Sequence, residues 1–144
     1  MICYFDTSAF VPLLINEPSR AAAIELREKA DWLVTSRLLY VEAAAALAQA
    51  KRMGRLDDEK HTRALDALDA VHEEFEVVEI SEAMVRRGAM LTHEFGLRGY
   101  DAIHCASAEL MAVPEFVFAS GDKKLLYACE QLGMTTADTN AALG

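Results

Sequence analysis

Brief apolar runs alternate with longer stretches of helical periodicity along this 144-residue chain. Ile2–Phe5, Trp32–Val34, the stretch holding Val77, Val78 and Ile80, and Phe116–Ala119 are short, β-prone and bounded by polar or turn residues, which predicts strands. Between them the spacing turns helical. Ala23, Ile24 and Leu26 share a face in 20–29, with charges opposite; Ala64, Leu65, Leu68, Val71 and Phe75 recur after the acidic start at Asp57; Met84, Val85, Met90 and Leu91 follow Ser81. Asp6-Thr7-Ser8 predicts a cap for a first short helix through Val11 and Leu14, and Ser19 and Ser36 predict caps for the next two. The helix opened by Ser36 runs to about Met53 and turns at Gly54, so it should form a hairpin with its successor. Gly96-Leu97-Arg98-Gly99 interrupts the chain before a helix from Tyr100-Asp101 to Val113-Pro114, and a last helix passes through Leu125, Leu126 and Leu132, leaving room for an edge strand before the tail 137–144. This alternation predicts an α/β fold in one domain, residues 1–144, around a mainly parallel sheet of about four to five strands.

One residue breaks the pattern. Glu42 lies in SRLLYVEAAAALAQAKR, where its helical neighbours are Leu38, Leu39, Ala45 and Ala46, so the acid points along an apolar stripe. A charge there is costly without a partner. Three aspartates, Asp6, Asp101 and Asp122, sit where a strand hands over to a helix or a helix begins, and in open parallel sheets ligands bind beyond the carboxyl ends of the strands. The order of elements therefore predicts one shared pocket. Each aspartate also has an ordinary explanation, as a cap or as a favourable charge at a helix N-terminus; for Glu42, sitting well inside its helix, the ordinary explanation is a side chain that snorkels to water. Taken together, clustered carboxylates raise one another's pKa, and a site that keeps several ionised wants a cation. Oxygen donors without a Cys or His set favour Mg²⁺ or Mn²⁺, the arrangement suited to in-line phosphodiester hydrolysis.

Composition narrows the partners. With 14 basic and 23 acidic residues the net charge is −9, the wrong sign for non-specific nucleic-acid binding, although an acidic, metal-loaded cleft rimmed by a few cations remains open. Arg37, Arg98, Lys123 and Lys124 are the basic residues near the predicted mouth. Arg98 and Lys123 flank Asp101 and Asp122 and are positioned to meet a substrate phosphate, or else are solvated surface cations. Ser8 and Ser120, each two residues from an aspartate, are candidates to hold a carboxylate or a metal-bound water, or are simply turn residues. His104, in AIHCASA, reads first as a packed core histidine making one hydrogen bond, and second as a ligand or base beside Asp101; His61, His72 and His93 lie on polar helical stretches and carry no signal. Cys3, Cys105 and Cys129 are odd in number and lack a Cys-x-x-Cys pairing, so buried thiols in a reducing cytoplasm are expected. No apolar run is long enough to span a membrane and no basic leader is evident, which predicts a cytoplasmic protein without membrane contact.

The opening CYFDTSAFVPLLINE, the Glu42 helix, LRGYDAIHCASA around Asp101 and FASGDKKLL around Asp122 together resemble the PIN-domain family, and more narrowly the VapC-type toxins of bacterial toxin–antitoxin pairs. The resemblance covers essentially the whole chain. It implies an α/β/α sandwich and a Mg²⁺- or Mn²⁺-dependent endoribonuclease that cuts structured RNA of the transfer or ribosomal class, forms a homodimer and is blocked by a VapB-type antitoxin. Carried over by position, it implies Asp6 and Asp101 as principal metal ligands, Glu42 and Asp122 as completing the site, and Ser8 as the hydroxyl accompanying the first acid; Glu17 falls where such toxins often carry an acid, with no role assigned.

Two other readings compete. A PIN-like module that binds RNA or protein without cutting would have no need for four costly acids. A phosphotransfer domain with Asp6 as nucleophile usually carries a second acid two residues on, where this chain has Ser8, and no glycine-rich phosphate loop is present.

Overall fold

The computed structural model describes residues 1–111 and 113–141; residues 142–144, in the predicted tail, lie outside the described residues. Five strands, β1 (Ile2–Phe5), β2 (Trp32–Ser36), β3 (Glu76–Val78), β4 (Phe116–Ser120) and β5 (Thr135–Asp138), form one sheet in the order β3-β2-β1-β4-β5, and every neighbouring pair is parallel. The helices are α1 (Thr7–Phe10), continued by a 3-10 turn at Val11–Leu13, then α2 (Arg20–Lys29), α3 (Leu39–Arg52), α4 (Asp58–His72), α5 (Glu82–Phe95), α6 (Gly99–Met111) and α7 (Lys123–Gln131).

Both faces of the sheet are covered, which explains why the strands read as continuous apolar runs rather than as alternating ones. Successive residues of β1 point to opposite faces. Cys3 and Phe5 pack with Ala9, Phe10, Leu39, Leu47, Leu68 and Phe75 from the α1–α4 side; Tyr4 packs with Met84, Leu91, Cys105, Phe118, Leu125 and Cys129 from the α5–α7 side. The result is the α/β/α sandwich. The fully buried Tyr4, Phe5 and Phe118 contribute on the order of 1.5–3 kcal/mol each through burial. The chain builds outward from β1 to β3, then crosses back to lay β4 against the other side of β1, so the order of strands reverses between β1 and β4. Such a reversal opens a crevice at the carboxyl ends of the two strands.

Several boundaries differ from expectation. β2 runs two residues further, to Ser36, and β3 ends at Val78 and leaves Ile80 outside. The helix expected to open at Ser36 begins at Leu39, because the Ser36 hydroxyl accepts the Leu38 N–H at 3.2 Å instead of capping the helix proper. Glu42 consequently lies in the first turn of α3 rather than well inside it, where the helix dipole favours an acid by about 0.3–1 kcal/mol. Ser19 makes no side-chain cap bond, whereas Asp57 and Ser81 cap α4 and α5. Gly96 stops α5 in the left-handed conformation, with φ of 67°. The three cysteines are buried free thiols; burial pushes Cys3 up to about 12, and contact with Cys105, with burial, raises Cys129.

Candidate active site

The strand ends and helix starts around the β1–β4 crevice bring the acids into one cleft of about 410 Å³, whose lining includes Asp6, Glu42, Asp101 and Asp122 together with Thr7, Ser8, Glu17, Arg98, His104 and Asn140. Asp6 follows β1 directly and caps α1, its Oδ1 accepting the Ala9 N–H at 2.9 Å. The register of β1 on β4 pairs Phe5 with Ala119, which sets Ser120 beside Asp6, and its hydroxyl donates to Oδ2 at 2.7 Å. Ser8 donates to the same carboxylate, 2.8 Å from Oδ1 and 3.0 Å from Oδ2, and accepts the Gly121 N–H at 2.8 Å. Asp6 is 2% exposed. Burial pushes its carboxyl above the ordinary range, against the opposing pull of His104, Ser120, Ser8 and the Ala9 amide.

Glu42 reaches the cleft from α3. Its Oε1 accepts the Thr7 hydroxyl at 2.9 Å and lies 2.6 Å from His104 Nε2. His104 therefore is not only a core histidine with one bond: it sits one turn beyond Asp101 on α6, lines the cleft, and engages both ring nitrogens, since Nδ1 lies 2.8 Å from the Tyr4 hydroxyl. Local sequence had no means of showing this, because Tyr4 is 100 residues away. Thr7 was legible only as part of a capping cluster.

Asp101 stands in the first turn of α6, its Oδ2 3.4 Å from Arg98 Nε. Burial first, and the nearby Asp122 second, raise its pKa, while Arg98 opposes the shift. Asp122 caps α7 by accepting the N–H groups of Lys124 and Leu125 at 3.0 and 3.1 Å, so its capping reading and its place in the cleft both hold. Glu17 lines the same cleft and pairs with Arg55 at 3.0 Å. Lys123 is exposed at the start of α7 and is not among the residues lining the cleft, and Arg37 is paired with Glu79.

A divalent cation suits the chemistry of this lining. The donors are hard carboxylate oxygens, and the burial and nearby Asp122 charge that raise Asp101 are the kind of strain a cation would relieve. Among the described residues no three His, Cys, Asp or Glu side chains stand together as a ready metal-ligand group; the four acids line the walls of an open cleft.

The comparisons with known proteins agree with this architecture. Residues 3–130 match the PIN domain family model. A curated relative named Ribonuclease VapC45, from Mycobacterium tuberculosis, is 33% identical over 136 residues, covering 94% of this chain and 94% of its own length. Among solved structures, PAE2754 from Pyrobaculum aerophilum is 26% identical with a TM-score of 0.66, over 94% of this chain and 83% of that one. A chain of a toxin–antitoxin complex from Klebsiella pneumoniae shares the fold at 19% identity, TM-score 0.65, over 97% and 99% of the two chains. This chain belongs to the PIN-domain family and, within it, to the VapC group.

Proposed function

We propose that this chain is a Mg²⁺- or Mn²⁺-dependent endoribonuclease, the toxic component of a type II toxin–antitoxin pair. The observation that carries the reading is the convergence on one cleft, at the β1–β4 reversal, of four carboxylates from four separate elements. The ribonuclease name of the VapC45 relative points the same way. Asp6 and Asp101 are the principal holders of the ion, with Glu42 and Asp122 completing the site; Ser8 and Ser120 hold Asp6 in place, and Arg98 meets a phosphate. When bound, the ion supplies an activated water and neutralises charge on the phosphate. The chain's own contribution is to orient the acids. The substrate is structured RNA of the transfer or ribosomal class. A VapB-type antitoxin is the protein partner, a reading to which the fold shared with the Klebsiella toxin–antitoxin complex lends support, and the working form is a homodimer.

The test is cleavage of total cellular RNA by the purified chain with Mg²⁺, Mn²⁺ or EDTA, beside Asp101→Asn. Discrete fragments that need metal and vanish in the variant are expected. Cleavage retained by a clean Asp101→Asn preparation would sink the reading; RNA or protein binding without cleavage by either form would favour a binding module instead.

A further inference from the structure

Behind Glu42 runs a chain of polar groups that the proposed hydrolysis does not by itself require. The Tyr4 hydroxyl is 2.8 Å from His104 Nδ1, His104 Nε2 is 2.6 Å from Glu42 Oε1, and the Thr7 hydroxyl reaches the same oxygen at 2.9 Å. His104 is 1% exposed and Tyr4 fully buried. We propose that His104 is a positioning residue, which with Thr7 fixes Oε1 of Glu42 so that Oε2 is the oxygen turned to the cation, and which is itself held in place by Tyr4. The inference rests on the reading of the cleft as a divalent-cation site.

The direction of the bonds follows from what each group is able to do. A carboxylate only accepts, so Nε2 carries the hydrogen toward Glu42. With the imidazole neutral, Nδ1 accepts and Tyr4 is the donor; burial raises the Tyr4 phenol well above its ordinary range, which keeps that proton on the oxygen. The Tyr4 ring is fixed in turn, stacked on Phe118 with centroids 5.2 Å apart and set edge-on to the imidazole at 5.8 Å. The order therefore runs from the sheet core through one imidazole to one carboxylate. Both donors meet Oε1, and among the described residues no hydrogen bond of Oε2 accompanies them. A free glutamate loses rotamer freedom when it is fixed; here that cost is met on folding, before any ion arrives. Groups that orient a ligand in this way typically change metal affinity by about 10–100-fold when removed. A histidine that merely filled the core would have no such effect.

The experiment measures Mn²⁺ binding from the loss of the free-ion paramagnetic resonance signal, for the parent chain, Asp101→Asn, His104→Ala, His104→Gln and Tyr4→Phe, with thermal melting in EDTA to verify folding. The parent should bind Mn²⁺ and Asp101→Asn should lose it. His104→Ala should weaken binding about tenfold or more, His104→Gln, whose amide N–H reaches the place of Nε2–H, should recover most of that, and Tyr4→Phe should show a smaller loss. Parent-like affinity in folded His104→Ala, or the absence of rescue by glutamine, overturns the positioning role while leaving the metal site standing. If the parent binds no Mn²⁺, the metal-site reading fails and takes this inference with it. Should His104→Ala not fold, Tyr4→Phe decides, since it deletes a single hydroxyl: unchanged affinity there overturns the proposal.

Discussion

The two walls of the cleft hold their carboxylates by different means. On the β1–α3 wall, Asp6 and Glu42 receive side-chain donors from Ser8, Ser120, Thr7 and His104. On the α6–α7 wall, Asp122 spends Oδ1 on the backbone N–H groups of its own helix, and among the described residues Asp101 meets only Arg98, whose side chain is 81% exposed. The first wall's acceptors are held by side-chain donors, two of which, Ser120 and His104, are themselves buried. The second is held by helix N-termini and repels itself. A site built in this way offers one pair of acids held by side-chain donors and one pair set at helix starts.

The sharpest way to break this contrast is Asp6→Ala. It removes the α1 cap and leaves the hydroxyls of Ser8 and Ser120 and the Ala9 amide without their acceptor, at a cost of about 1–3 kcal/mol. Urea denaturation in EDTA should show that loss, and RNA cleavage should vanish with it. A variant as stable as the parent would mean that Asp6 is not the anchor of its wall.

Asp101→Asn should behave in the opposite sense. The folded chain keeps the Asp101 proton to higher pH than the unfolded chain does, because burial and Asp122 raise its pKa. Its contribution to stability is therefore present at low pH and lost as pH rises from the ordinary carboxylate value, about 3.9, through the raised folded one. An asparagine never ionises, so in EDTA at pH 7 the variant should be as stable as the parent or more so, with the gap narrowing as pH falls toward 4. Asp6 is raised for the same first reason, burial, yet its removal destabilises, since three donors depend on it. Denaturation of both variants at several pH values separates the two cases; a loss of stability in Asp101→Asn would erase the distinction between the walls.

The same contrast explains what was legible in the sequence. Asp6, Asp101 and Asp122 announce themselves through strand-to-helix and helix-start positions, which are local, and Glu42 through an acid on an apolar stripe. The mainly parallel sheet followed from short apolar runs alternating with helical spacing, and its two covered faces from the family resemblance. Ser8 and Ser120 were legible as candidates to hold a carboxylate, but the partners on the β1–α3 wall arise from tertiary register: Ser120 meets Asp6 across 114 residues through the β1–β4 pairing, and His104 meets Glu42 across 62. A histidine among small apolar residues has no local mark that tells a packed ring from a positioning one. The start of α3 was misplaced for a similar reason, since a serine two residues before an N–H satisfies it as well as a true cap does.

The smallest expected effects concern the cations near the α6–α7 wall, and they are informative because two properties should move in opposite directions. Arg98 lines the cleft and lies 3.4 Å from Asp101, whereas Lys123 is exposed outside the lining. A chain of net charge −9 must meet RNA through local cations, so Arg98→Ala should raise KM severalfold and reduce the dependence of binding on log salt by roughly one unit of slope, with little change in kcat. Stability should change by less than about 0.5 kcal/mol, as for most exposed substitutions. The same guanidinium repels an incoming Mn²⁺, so its removal should leave metal affinity equal or tighter while RNA binding weakens. Lys123→Ala should do neither to the same extent, because it stands outside the cleft. Titrations of RNA and Mn²⁺ against both variants at two salt concentrations provide the check: equal losses in the two variants would make the surface charge diffuse, while a loss confined to Arg98→Ala would locate the phosphate at the Asp101 wall, opposite the acids that Ser8, Ser120 and His104 hold still.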